Sequence, residues 1–114
     1  MGRKTTIKAV VINEIGLDAD FIGIDTHCRQ LDQVDYTIRQ SNGSSLAGAL
    51  IIQKKSNLTD WMDLNLGTIA LTGASDEITV EVSELNCSLI RPKITISAGS
   101  ADFIVEVNGK TISA

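Results

Sequence analysis

The chain has 114 residues, 43% of them hydrophobic but only 4% aromatic, and a formal net charge of −4. That length fits one domain, and an acidic chain lacks the basic face that a nucleic-acid binder needs. Its longest apolar run, "LAGALII" (Leu46–Ile52), falls far short of a membrane span.

Charge is distributed unevenly. The opening "MGRKTTIK" holds Arg3, Lys4 and Lys8 and no acid, which leaves the remainder at −7. Residues 1–8 are therefore expected to form a basic arm able to reach an acidic partner, with 9–114 as the folded domain; a frayed, solvated terminus is the alternative. No apolar core follows these charges, so no export signal is expected. Without export, Cys28 and Cys87 are expected to be two free buried thiols.

In chain order, "TTIKAVVIN" (Thr5–Asn13) reads as a strand and "EIGLDAD" (Glu14–Asp20) breaks it. "FIGID" (Phe21–Asp25) is a short strand whose glycine suggests a bulge. The stretch "THCRQLDQ" stays open between a strand and one helical turn. "VDYTIRQ" (Val34–Gln40) alternates as a half-exposed strand. The Asn-Gly cluster "SNGSS" (Ser41–Ser45) then predicts a turn, and "LAGALIIQKK" (Leu46–Lys55) a second strand. "WMDL" (Trp61–Leu64), "TIALTG" (Thr68–Gly73) and "EITVEVSE" (Glu77–Glu84) continue the pattern. In "CSLIRPKITIS" (Cys87–Ser97) Pro92 predicts an edge strand or a bulge, because proline cannot donate to a ladder. "FIVEV" and "KTIS" flank Asn108–Gly109, which predicts a two-residue hairpin at the end of the chain. Eight or nine short strands with no amphipathic helix predict an all-β fold, a two-sheet β-sandwich or small barrel.

The chemistry-bearing residues are sparse. "DTHCR" brings Asp25, His27 and Cys28 together in sequence, but the chain has no second histidine to complete a zinc site. On a strand, Asp25 and His27 would share a face while Cys28 points away. Glu77, Glu81, Asp35 and Asp63 alternate with apolar residues as a solvent face requires, not as an acid/base pair. "GSSLAG" precedes no helix, so it is not a phosphate loop. Asp60 and Asp63, with Asn57 and Asn65, lack the spacing of a calcium loop. No catalytic residue, metal or cofactor is expected, and neither nucleic acid nor membrane is expected as a partner.

From Tyr36 to Lys110, about two thirds of the chain, the order of features is similar to that of tailed-phage capsid decoration (cement) proteins. A Tyr36 strand is followed by a glycine-containing strand, by the step Ser56, Trp61, Leu64 ("S-x-x-x-x-W-x-x-L"), and by a glycine turn at Gly73. "EITVEV", "LIRPKITIS" with Ile90 and Arg91, and "AGSADFIVEVNGK" complete it; Pro92 directly after Arg91 departs from an uninterrupted strand. The resemblance implies a jelly-roll sandwich of about eight strands, made in the host cytoplasm and placed on the outer surface of a phage head. There it would bind the major capsid protein, bridge shell subunits and need no catalysis. Self-association is expected as a two-fold dimer. Arg3, Lys4 and Lys8 become the candidate capsid contact. Trp61 is expected to plug the open end of the core; an exposed interface anchor is the alternative. A reading of another class is a carbohydrate-binding or adhesion module of a phage tail or fibre, with Trp61 or Tyr36 in a shallow groove. The third is an enzyme built on Asp25, His27 and Cys28.

Overall fold

The computed structural model describes residues 6–28, 31–56, 60–64, 69–71, 76–83 and 88–111. Among them are eight strands and no helix. In chain order these are β1 (Thr6–Leu17), β2 (Phe21–Ile22), β3 (Thr26–His27) and β4 (Gln33–Lys55). There follow β5 (Met62–Asp63), β6 (Ile69–Leu71), β7 (Asp76–Ser83) and β8 (Leu89–Lys110).

Two strands are far longer than the usual five or six residues. β4 has 23 residues and β8 has 22, and they pair antiparallel from Gln33↔Lys110 to Lys55↔Leu89. A flat ladder of that length would leave its apolar face in water. This one bends. Between Ser41 and Gly48 the register slips three times, placing two extra residues on β4 and one on β8. Extra residues kink a ladder. Asn42 and Ser45 take φ of 53° and 51°, and Gly99 opposite takes 73°. At Gly99 a Cβ would also strike the Ser44 carbonyl oxygen, so the corner requires glycine.

The bend divides each long strand into two straight halves. β1 lines the second half of β8, and β2 and β3 continue that edge along its first half. β5 and β6 line the second half of β4, and β7 lines its first half. With β2/β3 and β5/β6 each taken as one, eight straight segments result. With these segments numbered 1 to 8 in chain order, apart from the β labels, the first sheet runs 1-8-3-6 and the second 2-7-4-5. This is a jelly roll, so the expected all-β, two-sheet fold is the fold observed.

Alternation places the core between the sheets. Val34, Tyr36, Ile38, Phe103, Val105 and Val107 come from the first sheet, and Leu50, Ile52, Ile90 and Ile94 from the second. All are at most 4% exposed and form one cluster. The Tyr36 hydroxyl is buried there without a hydrogen bond of good geometry, although Thr26 of β3 lies near enough to act on it. Burial holds this phenol far above its usual titration range.

Several local expectations fail, each for a tertiary reason. "SNGSS" is the corner inside β4, not a loop between two strands. Asn108–Gly109 is no hairpin: β8 runs through it, with Gly109 opposite both Val34 and Ile7. The glycine there serves close packing, since a Cβ would lie 2.7 Å from Leu31 Cδ1 and 2.8 Å from Ile7 Cγ1. Pro92 lies in a central strand, not an edge. Its carbonyl accepts from the Gly23 amide at 2.9 Å, so its missing N–H faces the gap between β2 and β3, where no ladder needs it. Of the residues 1–8 expected as an arm, Thr6, Ile7 and Lys8 pair with Lys110, Gly109 and Asn108 in β1, and residues 1–5 lie outside the described residues. Cys28 is disulfide-bonded, not a free thiol. β3 lies against the start of β8, and the Cys28 amide donates to the Ser88 carbonyl at 3.1 Å. Cys87, the chain's other cysteine, lies outside the described residues, as do Ile112–Ala114.

Asp102 fastens the corner. Its Oδ2 accepts from Asn42 Nδ2 at 2.7 Å and its Oδ1 from the Gly16 amide at 2.8 Å, joining β8, β4 and β1. The Asn42 bond, then the Gly16 bond, lowers its pKa. A carboxylate lowered in the folded state stabilises the fold above its unfolded pKa of about 3.9 and loses that effect as pH falls through the folded value. The stability difference between wild type and Asp102→Ala should therefore be constant above about pH 5 and shrink at lower pH; urea melts across pH measure it. Gly109→Ala should cost about 1–3 kcal/mol by overpacking. Asn108→Thr should stay within about 0.5 kcal/mol, whereas in a two-residue hairpin the threonine would resist the positive φ.

Candidate functional site

The outer face of the first sheet carries a row of ion pairs across all four strands. Lys8 of β1 lies 3.9 Å from Glu106 of β8, Glu106 lies 3.2 Å from Arg39 of β4, and Arg39 lies 3.7 Å from Glu77 of β7. The side chains of Lys8 and Arg39 are 73% and 53% exposed, so each pair contributes little alone. Lys8 is thus placed in the edge strand. Arg3 and Lys4 lie outside the described residues.

The outer face of the second sheet holds a different cluster. Gln53 of β4 stands opposite Arg91 of β8 on one side and Asp63 of β5 on the other. Arg91 Nε donates to Gln53 Oε1 at 2.9 Å, and Gln53 Nε2 donates to Asp63 Oδ1 at 2.8 Å. Both ends of the Gln53 amide are used, which permits its burial at 8% exposure. Trp61 covers the row: the Arg91 guanidinium carbon lies 3.8 Å from its ring centroid. The indole is half-buried and outside the core cluster. The expected core plug is not what this position shows: Trp61 stacks on Arg91 at the surface of the second sheet, outside the core cluster. Leu64, the end of the tryptophan step, packs on the core, and its amide donates to the Ile52 carbonyl at 2.8 Å. Sequence reasoning picked out Trp61 and Arg91 separately, weighed Asp63 only as a solvent-face or calcium carboxylate, and missed Gln53. Their shared face depends on a register that only the folded ladder sets.

A third feature is apolar. Val10 and Ile15 in β1, Ile22 in β2 and Ile24 beyond it are 48%, 84%, 46% and 66% exposed. All lie on the side of the sandwich where β1 and β2 are edge strands, Val10 opposite the outward Glu106 and Ile22 opposite the outward Lys93. The Val11 carbonyl accepts from the Ile24 amide at 3.1 Å and links the two sheets at that edge. A hollow of about 380 Å³ opens at the far end of the first sheet, beside Lys8, Asp35, Asn108 and Lys110.

The residues of "DTHCR" are not assembled into a reactive site. Asp25 and His27 are exposed, while Cys28 is fully buried and disulfide-bonded. Among the described residues no group of three or more His, Cys, Asp or Glu could hold a metal. Asn57 and Asn65 lie outside the described residues. No helix among those residues is long and apolar enough to cross a membrane.

Trp61→Ala should cost about 1–2 kcal/mol, the scale of a partly desolvated cation–π contact, and not the roughly 3–5 kcal/mol of a buried tryptophan. Arg91→Ala removes the same stack, so the double variant should cost less than the sum of the two single ones. Chemical denaturation of the four proteins measures this; strict additivity would contradict the stack.

No protein-family model matches the chain, and no curated protein matches it. Among solved structures it is similar to the SPBc2 prophage-derived protein YomS, with a TM-score of 0.60 at 10% identity over 97% of each chain. It is also similar to a structure from the Bacillus endospore appendages, which form a novel family of disulfide-linked pili. There the TM-score is 0.52 at 18% identity, covering 98% of this chain and 93% of that one. At these identities the likeness is one of fold, and it extends over the whole jelly roll.

Proposed function

We propose that this chain is a structural protein of a phage particle, which docks on the outside of the folded capsid shell and bridges neighbouring shell subunits. The apolar edge carries the reading. Val10, Ile15, Ile22 and Ile24 are exposed on the side of the sandwich where β1 and β2 are edge strands. Such edges call for a cover or a partner, and exposed apolar side chains along them suit an interaction surface. A fold shared with a prophage-derived protein over 97% of both chains supports the setting. The role requires no catalysis, and the disulfide removes Cys28 as a nucleophile. Arg3 and Lys4 precede this edge and add a basic contact to it.

A second reading, a subunit of a surface appendage, draws on the likeness to the disulfide-linked pili and on the disulfide at Cys28. Such bonds persist in oxidising surroundings. A glycan-binding groove is less well supported, because Arg91 occupies one face of the Trp61 ring.

Co-sedimentation with emptied phage heads tests the proposal. Wild type should pellet saturably, and Ile15→Asp with Ile24→Asp should abolish pelleting while keeping the melting temperature. Deleting residues 1–5 should weaken binding at low salt only. Absence of pelleting by the wild type, or full pelleting by the edge variant, would contradict it.

A further inference from the structure

We infer that the chain associates with a second copy of itself head to tail, the basic outer face of the second sheet lying on the acidic outer face of the first. This rests on the structural role proposed above and names a partner for it.

The two outer faces differ in charge. On the strands of the first sheet, outward carboxylates outnumber cations five to three. Glu77 and Glu81 stand at its β7 edge, both exposed, and Glu81 has no ion-pair partner among the described residues. On the strands of the second sheet, Lys55, Arg91 and Lys93 face outward against Asp63 alone.

Arg91 is the focus of the basic face. Its Nε is held by Gln53, and its plane is held by Trp61 at 3.8 Å. Its two Nη groups make no hydrogen bond or ion pair within the described residues. Arg39, on the opposite face, is by contrast committed to Glu77 and Glu106. A guanidinium fixed in this way loses little freedom when its remaining N–H groups meet a carboxylate. The geometry of those donors suits a bidentate contact with Asp or Glu.

The two faces lie on opposite sides of one sandwich. A two-fold dimer through either face would set like charges against each other, which is costly. Pairing of unlike faces avoids this, and it leaves one face free at each end of the pair. Association of that kind closes into a ring or continues as a filament. It therefore replaces the two-fold dimer expected from the sequence.

Sedimentation velocity over a concentration series, at low and high salt, tests the inference. Wild type should form species beyond the dimer at low salt and dissociate as salt rises. Arg91→Glu with Lys93→Glu, and separately Glu77→Lys with Glu81→Lys, should each weaken association about tenfold or more. An equimolar mixture of the two variants restores opposite charge at both interfaces and should associate again, more tightly than either variant alone. Lys93→Glu alone touches neither Gln53 nor Trp61 and carries the same expectation if the Arg91 variant fails to fold. A wild type that is monomeric throughout, association indifferent to salt, or association kept by both variants would overturn the inference. So would Arg91-dependent retention of a monomer on acidic glycan beads. Head pelleting is scored separately on the Ile15 variant, so a monomer that still pellets with heads overturns this inference and leaves the capsid role standing.

Discussion

The antiparallel ladder between Gln33–Lys55 and Leu89–Lys110 carries both sheets. Among the described residues every other strand pairs with one of these two and with no other. The ladder is too long to stay flat and bury its apolar side. Its corner, built from Asn42, Ser45 and Gly99 and fastened by Asp102, turns one ribbon into two facing layers. Burial of Tyr36 and Phe103 against Ile90 and Ile94 follows from that turn.

The same constraint explains what the sequence shows and what it hides. Period-two alternation in "VDYTIRQ" and "EITVEVSE" reports a pleated strand with one wet face, and these two segments pair in the structure. The fold class was legible for that reason. Punctuation was not. Asn-Gly at 108–109 and the cluster at 41–45 carry ordinary turn chemistry, yet one is mid-strand and the other is a corner. Glycine answers to either left-handed φ or lack of space, and the sequence does not distinguish them: Gly99 is the first case and Gly109 the second. Pro92 likewise is tolerated because its neighbour strand is interrupted, a fact held at Gly23 about seventy residues away.

The candidate surfaces were legible only as single residues. Trp61 was conspicuous as the one tryptophan, but its partner Arg91 belongs to another strand, and Gln53 connects them across the sheet. The indole lies outside the core cluster and stacks on a guanidinium. Ile15 lay in a segment read as a strand break and Ile24 in a short strand, and neither reading showed that both would stand exposed. The cysteine expectation failed because redox compartment was inferred from the chain's start, which says nothing of which side chains meet in the fold; Cys28 is disulfide-bonded. The resulting molecule has one apolar edge, one acidic face and one basic face. Such a division of surface is what the proposed building-block role would use.

Residue-resolved backbone hydrogen exchange in the intact protein tests the bent ladder most directly. If β4 and β8 hold both sheets as one unit, their amides on the two sides of the corner should exchange through one shared opening with a common free energy. The Gly109 and Lys110 amides that pair with neighbouring strands should belong to that unit. Two halves that open with separate free energies, or rapid exchange at Asn108–Lys110 as in a hairpin tip, would contradict the account.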